Sequence, residues 1–317
     1  MLASNITSSF QIPHFVLICF PSIQDWQHWL SIPLVLLLLL AVVANFTILT
    51  VIRRENSLHE PMYYLLSILA VIDLVLCLTT IPKMLGILCF NMKIMNLPSC
   101  FLQMYIMNSF IAMESCTFLV MAYDRYTAIC NPLMYPCVIN NGFVLKAFVF
   151  IILRNSTLLL PVPVLAARLQ YCSRNVVGHC FCTSAATTAL ACGDRTISAI
   201  YQLAIGFGLL GSDLILISLS YCMILRVVLK IQTEGAIVKA FSTCTSHVIL
   251  ILFFYTVLLV LIFTTKLENV ILPDIPIFLN SLHFLVPPVL NPVVYGVRTK
   301  EIKQGIKKMI RNRNINS

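Results

Sequence analysis

The chain has 317 residues, of which 59% are hydrophobic and only 10% are charged, and its mean hydropathy is +0.93. A soluble domain carries roughly 25% charged residues, so this composition excludes a soluble globular protein and requires lipid as the solvent. The net charge of +9 does not indicate a nucleic-acid partner, because seven of the 21 Lys and Arg residues follow Val297 and most others lie between apolar runs. Such a distribution is typical of membrane topology and of contact with anionic lipid headgroups.

Seven apolar runs are long enough to cross a bilayer, which takes about 20 residues. They follow a short polar segment, residues 1–28. Its first part, Met1 to Phe15, lacks the basic region followed by an apolar core that a cleaved signal peptide has, so we expect the first run to be a signal anchor. The runs cover about 29–52, 62–88, 97–129, 143–166, 197–229, 237–264 and 271–295. Short loops join most of them, which predicts an all-α membrane protein whose seven-transmembrane helix bundle occupies residues 29–296.

The final segment, residues 297–317, has a pattern of its own. Ile302, Ile306 and Met309 or Ile310 recur at helical spacing, with Lys300, Lys303, Lys307 and Lys308 around them. This pattern predicts a short amphipathic eighth helix on the inner leaflet of the membrane. A disordered basic tail is the less favoured alternative.

Basic residues predict the orientation of the bundle. With the N-terminus outside, 14 Lys and Arg residues lie on the cytoplasmic side and six lie outside, which satisfies the positive-inside rule. We therefore expect a multi-pass plasma-membrane protein with an extracellular N-terminus. In this orientation the glycosylation sequon at Asn5 faces the compartment in which it is used.

Five of the 13 cysteines fall on the predicted outer side: Cys100, Cys172, Cys180, Cys182 and Cys192. That compartment is oxidising, so we expect disulfides, with one cysteine left over and the pairing not determined by spacing. The run from His179 to Cys182 has the residue types of a metal site, but its neighbours lack ordinary zinc-ligand spacing, so disulfides are the better interpretation.

Four ionisable residues lie within the apolar runs: Asp73, Glu114, Arg154 and Asp213. Each is costly at mid-bilayer and should face the interior of the bundle beside a partner. Asp73 and Glu114 lie at similar depth on neighbouring helices, which indicates a shared cation or proton, or else two separately hydrogen-bonded neutral acids. Asn291-Pro292 is expected to bend the seventh span ahead of Tyr295, because proline removes a helical hydrogen bond.

Asp124 and Arg125 stand side by side where the third run leaves the membrane. The two charges can neutralise each other, or the arginine can turn to a partner outside the bilayer, and two such arrangements are what a switch requires. The plainer interpretation is a solvated helix end with the arginine at the lipid headgroups. No phosphate-binding loop, paired histidine ligands or nucleophile with a base at meaningful spacing appears, so we expect no enzyme and no cofactor beyond a Na⁺ or proton at the mid-membrane acids.

Several motifs stand at the ends of the runs: Pro61-Met-Tyr-Tyr64, Met121-Ala-Tyr-Asp-Arg-Tyr126 followed by Ala-Ile-Cys130, Leu190-Ala-Cys-Gly-Asp194, Ser218-Leu-Ser-Tyr221, Lys239-Ala-Phe-Ser-Thr-Cys244 with Ser246-His247, and Pro288-Val-Leu-Asn-Pro292 with Tyr295-Gly296. In this combination the chain resembles the odorant receptors of the rhodopsin-like G-protein-coupled receptor family, specifically the class I, fish-like group. The resemblance extends over essentially the whole chain, and Arg154 stands where class I members carry an arginine.

The resemblance implies roles for individual residues. It implies that Cys100 pairs with Cys182 and Cys172 with Cys192, which leaves Cys180 over. It implies a cytoplasmic switch at Asp124, Arg125, Tyr126, Tyr221, His247 and Tyr295. This switch would accept a stimulatory heterotrimeric G protein that raises cyclic AMP. The resemblance also implies a mid-membrane polar cluster of Asn45, Asp73, Glu114 and Asn291.

The resemblance further implies an odorant pocket in the outer half of the bundle, at Met107, Asn108, Ile111, Leu159, Val162, Ser184, Gly206, Tyr255, Leu258, Leu259, Ile262 and Lys266. Class I members that recognise carboxylic acids have an arginine where Lys266 stands, so bidentate carboxylate pairing is lost here while the positive charge remains. Asn108 replaces a histidine and Ile262 a serine. These differences predict a larger, mostly apolar ligand with one polar end.

Other classes of membrane protein fit less well. Met107 stands where amine receptors keep an aspartate, and no lysine for retinal lies between Lys266 and Arg298. A metabolite-sensing member of the same family remains open. An ion-coupled transporter or channel that uses Asp73 and Glu114 is the alternative from another class, and the lack of a repeat between the two halves of the chain counts against it. A purely structural membrane protein gives no reason for the motif at Arg125.

Overall fold

Helices make up most of the described chain. The computed structural model describes residues 12–23, 27–172, 174–230, 234–266 and 274–315, without the side chains of residues 234–243, 264–266, 298 and 312–315. The helices are α1 (Ser31–Arg54), α2 (Pro61–Phe90), α3 (Leu97–Cys130), α4 (Tyr135–Val138), α5 (Asn141–Leu159), α6 (Pro161–Ala167), α7 (Ser184–Ala189), α8 (Thr196–Val228), α9 (Glu234–Lys266), α10 (Asp274–Leu285), α11 (Pro287–Arg298) and α12 (Lys300–Ile315).

Six helical segments of the described chain are long and apolar enough to cross a membrane, and the bent pair α10 and α11 makes a seventh if it is one span. Helices α1, α2, α3, α8 and α9 each correspond to one predicted run. The fourth run is divided at Leu160, ahead of Pro161, into α5 and α6. The predicted spans therefore correspond to observed helices whose ends differ by a few residues.

Local sequence explains where two of the long helices begin. The side chain of Asn96 accepts a hydrogen bond from the backbone N–H of Ser99 at 2.9 Å, directly before α3. Asn140 accepts one from the backbone N–H of Phe143 at 3.0 Å, directly before α5. These caps pair backbone donors that the first turn of a helix leaves without intrahelical partners, and so they position the start of each span.

The seventh span bends at Val286 and not at the predicted position. α10 ends one residue earlier and α11 begins one residue later, with an angle of 40° between them. Pro287 and Pro288 are consecutive, so one turn lacks two backbone donors, whereas Pro292 removes only one and lies inside α11. The expectation of a bend at Asn291-Pro292 was therefore wrong.

A small three-stranded sheet departs from the all-α expectation. Its strands are β1 (His14–Leu17), β2 (Ile94–Asn96) and β3 (Val176–Val177), in the order β2-β1-β3. β1 pairs antiparallel with β2 and parallel with β3, where Leu17 lies opposite Val177. We call the end of the bundle that carries this sheet the sheet end, and the opposite end, where α3 finishes, the Arg125 end.

Burial separates the interior of the bundle from its apolar surface. In α3, 17 of 34 residues are buried, whereas α8 buries only six of 33. Helix α8 leaves large apolar side chains exposed, including Phe207 and Ile215. Exposed apolar surface of this extent requires lipid around it. Helix α3 therefore lies at the centre of the bundle and α8 at its margin.

The last helix, α12, packs against the end of α1. Ile302 is fully buried, and Lys308 forms an ion pair with Glu55 at 2.8 Å. Gly305 lies so close to Val51 that a Cβ atom on the glycine would stand 2.6 Å from the Val51 Cγ1 atom. The absence of a side chain at Gly305 therefore permits the two helices to meet.

Candidate functional site

A cavity of about 240 Å³ lies among the helices at the sheet end. Helices α3, α5, α6, α8, α9 and α10 surround it, together with α7 and the loop before it. Most of its lining is apolar, and its polar side chains include Asn108, His179, Gln202, Asn280 and His283. Ligand pockets usually measure about 300–1,000 Å³ and combine apolar walls with a few polar groups. This cavity has such a lining and lies just below that range, so it suits only a small organic molecule.

Eight of the twelve predicted pocket residues line this cavity: Met107, Asn108, Ile111, Leu159, Val162, Ser184, Gly206 and Leu258. Tyr255, Leu259 and Ile262 line a second, adjoining cavity of about 670 Å³ between α8 and α9, which shares Ser184, Gly206 and Leu258 with the first. The remaining residue, Lys266, ends α9, and its side chain lies outside the described part of the chain.

Two disulfides hold the loop that forms the roof of the cavity. Cys182 pairs with Cys100 at the start of α3, and Cys180 pairs with Cys19 in the N-terminal segment. The expectation that Cys180 has no partner was wrong, because the count of outer cysteines omitted Cys19. The parallel pairing of β1 with β3 brings these two residues together, since each follows its strand by two or three residues. A third disulfide joins Cys172 to Cys192 within the loop.

The roof of the cavity carries a histidine that is neutral near pH 7. Burial lowers the pKa of the His179 imidazole to about 4, because a charged ring would lose its hydration. Its Nδ1 atom has no hydrogen-bond partner within the described residues. Nearby in the same loop, burial raises the pKa of Tyr171 to about 12, and its hydroxyl donates to the carbonyl oxygen of Ala166 at 2.7 Å.

A buried polar network next to the cavities connects four helices. Arg154 of α5 forms an ion pair with Asp213 of α8, with 2.8 Å between Nη1 and Oδ1. Ser115 of α3 donates to the other carboxylate oxygen of Asp213 at 3.0 Å and lies 2.7 Å from the hydroxyl of Tyr255 on α9. The two charges thus compensate each other, as a charge within a membrane requires. Because Tyr255 also lines the adjoining cavity, the network begins at a ligand-accessible surface.

Three of the four predicted mid-membrane residues meet at one atom. The side-chain nitrogen of Asn291 donates to both carboxylate oxygens of Asp73, at 3.0 and 3.1 Å, and to Oε1 of Glu114 at 3.1 Å. Asn45 is buried elsewhere, where its amide donates to the carbonyl oxygens of Ala41 and Pro288 at 2.9 and 2.8 Å. Asn45 therefore joins α1 to α11 and does not contact the two acids.

At the Arg125 end, Asp124 and Arg125 form a closed pair. The Nε atom of Arg125 donates to Oδ2 of Asp124 at 2.8 Å, and Nη2 donates to the same oxygen. Tyr135 of α4 donates its hydroxyl to Oδ1 of Asp124 at 2.9 Å. Burial, and then the neighbouring Asp124 carboxylate, raise the pKa of Tyr135, so its hydroxyl stays protonated and able to donate. Tyr135 was not among the predicted switch residues.

The other predicted switch residues surround this pair. The rings of His247 and Tyr295 lie 5.6 Å apart, edge to face. Tyr126 and Tyr221 pack against the cluster formed by Ile224, Val228 and Cys244. The hydroxyls of Tyr221 and Tyr295 and the Nδ1 atom of His247 are buried without hydrogen-bond partners in the described part of the chain. These polar groups are thus available for new partners if the helices move.

Comparison with known proteins identifies the family. A family model described as "Olfactory receptor" matches residues 34–313. Human Olfactory receptor 56A4 is 57% identical over 311 residues, covering 98% of this chain and 99% of its own, and human Olfactory receptor 56A1 is 56% identical over 98% of each. Mouse Olfactory receptor 56B34 is 48% identical over 96% of this chain and 94% of its own. The chain belongs to the olfactory receptor family.

Membership of this family confirms two expectations from the sequence. Olfactory receptors are G-protein-coupled receptors and not enzymes, and they reside in the plasma membrane, as the apolar helices require. The family implies an odorant ligand and coupling to a G protein. Among the described residues, no group of three or more His, Cys, Asp or Glu side chains could hold a metal ion.

The polar lining contributed by α8 and α10 was missed by the sequence analysis of this olfactory receptor. Gln202 of α8 and Asn280 and His283 of α10 all line the first cavity. Asn280 and His283 are three residues apart and so share one face of their helix, a spacing that is visible in the sequence. No pocket role was assigned to the seventh span, so this signal was not used.

Proposed function

We propose that this olfactory receptor binds a small, mostly apolar odorant in the cavity at the sheet end and thereby activates a stimulatory G protein that raises cyclic AMP. The predicted pocket residues that line the two adjoining cavities would contact the ligand. Asp124, Arg125 and the surrounding tyrosines would form the contact with the G protein. The cavity supports binding, and the closed Asp124–Arg125 pair supports an inactive state that a ligand can open.

The proposal requires the sheet end to face the outside of the cell. The excess of basic residues at the Arg125 end supports this orientation, since cytoplasmic loops are enriched in Lys and Arg. Disulfides at the sheet end are consistent with an oxidising exterior. In this orientation residues 1–28 are extracellular, with the sequon at Asn5, which lies outside the described residues, and α12 rests on the inner leaflet.

Helix α9 carries the argument for coupling. It contributes Leu258 to the ligand cavity, Tyr255 to the buried network and His247 to the contact with Tyr295 near the Arg125 end. Leu258 and His247 are 11 residues apart, which corresponds to about 16 Å along a helix. A ligand that shifts α9 therefore moves groups at both ends of the bundle together. Binding must favour the state in which Arg125 leaves Asp124, because only a difference in affinity between two states drives the change.

The mid-membrane acids have a place in this mechanism. Asp73 and Glu114 are buried side by side and share one amide donor. Two like charges that share one donor oppose each other, so we propose that a Na⁺ ion or a proton balances them. Its release or uptake would then accompany the change between the two states of the receptor.

The experiment measures cyclic AMP in cells that express the receptor with an olfactory-type G protein, across a broad odorant panel. Arg125→Ala should abolish the response, whereas Arg53→Ala, which removes an exposed arginine at the same end of the bundle, should retain it. Surface expression is measured for all three proteins. Equal responses of wild type and Arg125→Ala at equal surface expression would show that the switch is assigned wrongly.

A further inference from the structure

We propose that His283 is the polar anchor of the ligand cavity, and that the receptor therefore recognises apolar molecules that carry a hydroxyl group. This inference rests on the proposed function, since it names the chemical class of ligand for the same cavity. It assigns the specificity to a residue of α10, outside the set of positions that the sequence analysis had associated with the pocket.

The His283 side chain is largely enclosed and lines the cavity. The residue is 5% exposed, and its ring packs against those of Phe254 at 5.4 Å and Phe284 at 5.6 Å. Neither of its ring nitrogens has a hydrogen-bond partner among the described residues. Buried polar groups are almost always paired, because an unpaired one loses its hydration without compensation. Since His283 lines the cavity, we infer that its partner is a ligand bound there.

The chemistry of imidazole selects the partner. A neutral ring has one N–H donor and one bare nitrogen acceptor, and which nitrogen carries the proton depends on what the ring meets. A hydroxyl group both donates and accepts, so it can pair with either nitrogen. An ether or a carbonyl group only accepts and can pair with the N–H alone. A carboxylate would bring a charge into this apolar enclosure, and burying a charge costs more free energy than burying a neutral polar group.

A neighbouring amide completes the site for a hydroxyl. Asn280 lies one turn before His283 on the same helix and lines the same cavity. Its amide has both donors and an acceptor, so it can satisfy the hydrogen-bonding capacity that the hydroxyl retains after pairing with the imidazole. The remaining walls are largely apolar and would enclose the hydrocarbon part of the ligand.

The position of this site also connects it to the proposed switch. The ring of Phe254 contacts the ring of His283. The ring of the next residue, Tyr255, lies 5.1 Å from the ring of Phe254. Both aromatic residues belong to α9. A ligand hydroxyl held by His283 is therefore separated by one aromatic ring from the tyrosine that joins the buried network.

The test compares probes that differ in one functional group. Straight-chain alcohols of six to ten carbons, with the corresponding methyl ethers, aldehydes, carboxylates and alkanes, are applied to wild type and to His283→Phe, His283→Gln and His179→Phe. The readouts are cyclic AMP at matched surface expression and thermal stabilisation of the purified receptor. In wild type, we expect the best alcohol to be roughly tenfold more potent than its methyl ether, the value of one hydrogen bond that is made rather than left unpaired.

His283→Phe keeps the ring shape and removes both nitrogens, so the ratio between alcohol and ether should fall well below tenfold, with only the Asn280 amide left to pair with the hydroxyl. His283→Gln restores a donor and an acceptor, and part of the preference should return. His179→Phe changes the other histidine of the cavity and should leave the preference in place. An unchanged preference in His283→Phe, or its loss in His179→Phe instead, would overturn the proposal.

Failure of this inference can be distinguished from failure of the proposed function. If no alcohol activates or stabilises the receptor while its Arg125-dependent signalling is intact, the ligand class is wrong and the receptor function stands. If alcohols stabilise the purified protein and His283→Phe removes that effect, but no Arg125-dependent cyclic AMP appears, the anchor is correct and the proposed signalling is wrong.

Discussion

Burial determines the charge of His179, and this has a consequence for stability. Its pKa of about 4 in the folded protein lies below the ordinary value of 6.5. Between these two values the unfolded chain binds a proton that the folded chain does not. The free energy of unfolding is therefore unaffected by this titration above pH 6.5, and it decreases progressively as the pH falls toward 4.

We therefore expect the melting temperature of the purified receptor to fall between pH 7 and pH 4.5, and to fall less in His179→Phe. Thermal unfolding across this pH range measures the effect. The control is His59→Gln, a histidine at the other end of the bundle, which should retain the wild-type slope. Identical slopes for His179→Phe and wild type would contradict the assignment of a partly buried, neutral imidazole at this position.

Individual residues also show where sequence reasoning succeeds. The motif around Arg125 and the acids Asp73 and Glu114 were found because charges are rare in apolar runs and each requires a partner. Which residue each of these charges pairs with was harder to predict. Nothing in the sequence indicates that Arg154 meets Asp213, 59 residues further on, because that contact depends on how two helices face each other.

Secondary-structure elements were predicted well where hydropathy determines them and poorly where local geometry does. The apolar runs correspond to the long helices because only a helix pairs its whole backbone inside a bilayer. The position of the bend at Val286 could have been predicted because two consecutive prolines disturb a helix more than one proline does, but only the single Pro292 was considered. The sheet was missed because its strands are two to four residues long and pair across 78 to 160 positions of the chain.

Contact between α12 and α1 gives a prediction at the level of elements. A Cβ atom at Gly305 would stand 2.6 Å from Val51, so Gly305→Ala must push the two helices apart. Overpacking of this kind typically costs about 1–3 kcal/mol. We expect a lower melting temperature and faster amide hydrogen exchange in α12, and recovery when Val51→Ala is added. Gly296→Ala, whose Cβ would meet Ile306 at an ordinary 3.8 Å, is the control.

A loss in Gly305→Ala that Val51→Ala does not reduce would contradict overpacking against Val51. If the glycine acted through helix propensity alone, Gly305→Ala would stabilise the protein, because alanine has the higher helix propensity of the two residues. The direction of the change thus separates the two causes.

For the whole molecule, the buried network provides the test of long-range packing. Arg154, Asp213, Ser115 and Tyr255 come from four helices, and the ion pair is largely enclosed, with the Arg154 side chain 16% exposed and that of Asp213 fully buried. Arg154→Ala leaves the carboxylate without its counter-charge, and breaking a buried pair from one side costs about 3–5 kcal/mol. We expect a loss of thermal stability and of surface expression.

Adding Asp213→Asn to Arg154→Ala should recover part of the loss, because the uncompensated charge is then gone. Thermal unfolding of the single and double variants measures this coupling, with Arg53→Ala as the control for removal of an exposed arginine. Additive losses in the double variant would show that the two residues do not act as a pair.

The arrangement of the cavity shows why a pocket is only partly predictable. Eight predicted positions line the first cavity and three more line only its neighbour, because related receptors arrange their helices alike. The polar residues from α8 and α10 were missed, since the face that each helix turns inward depends on packing with helices far away in the chain. Hydropathy alone does not reveal it for a helix that is apolar on all sides.

The two disulfides above the cavity also constrain how the receptor is made. Cys19 and Cys180 are 161 positions apart, and Cys100 and Cys182 are 82 positions apart, so the two covalent loops overlap without one containing the other. During synthesis Cys19 and Cys100 both emerge long before either of their partners. The nascent chain must therefore either keep these two early thiols apart until the loop after the fourth span has emerged, or break an early Cys19–Cys100 disulfide by thiol–disulfide exchange. Correct biogenesis thus depends on the order in which disulfides form as well as on membrane insertion.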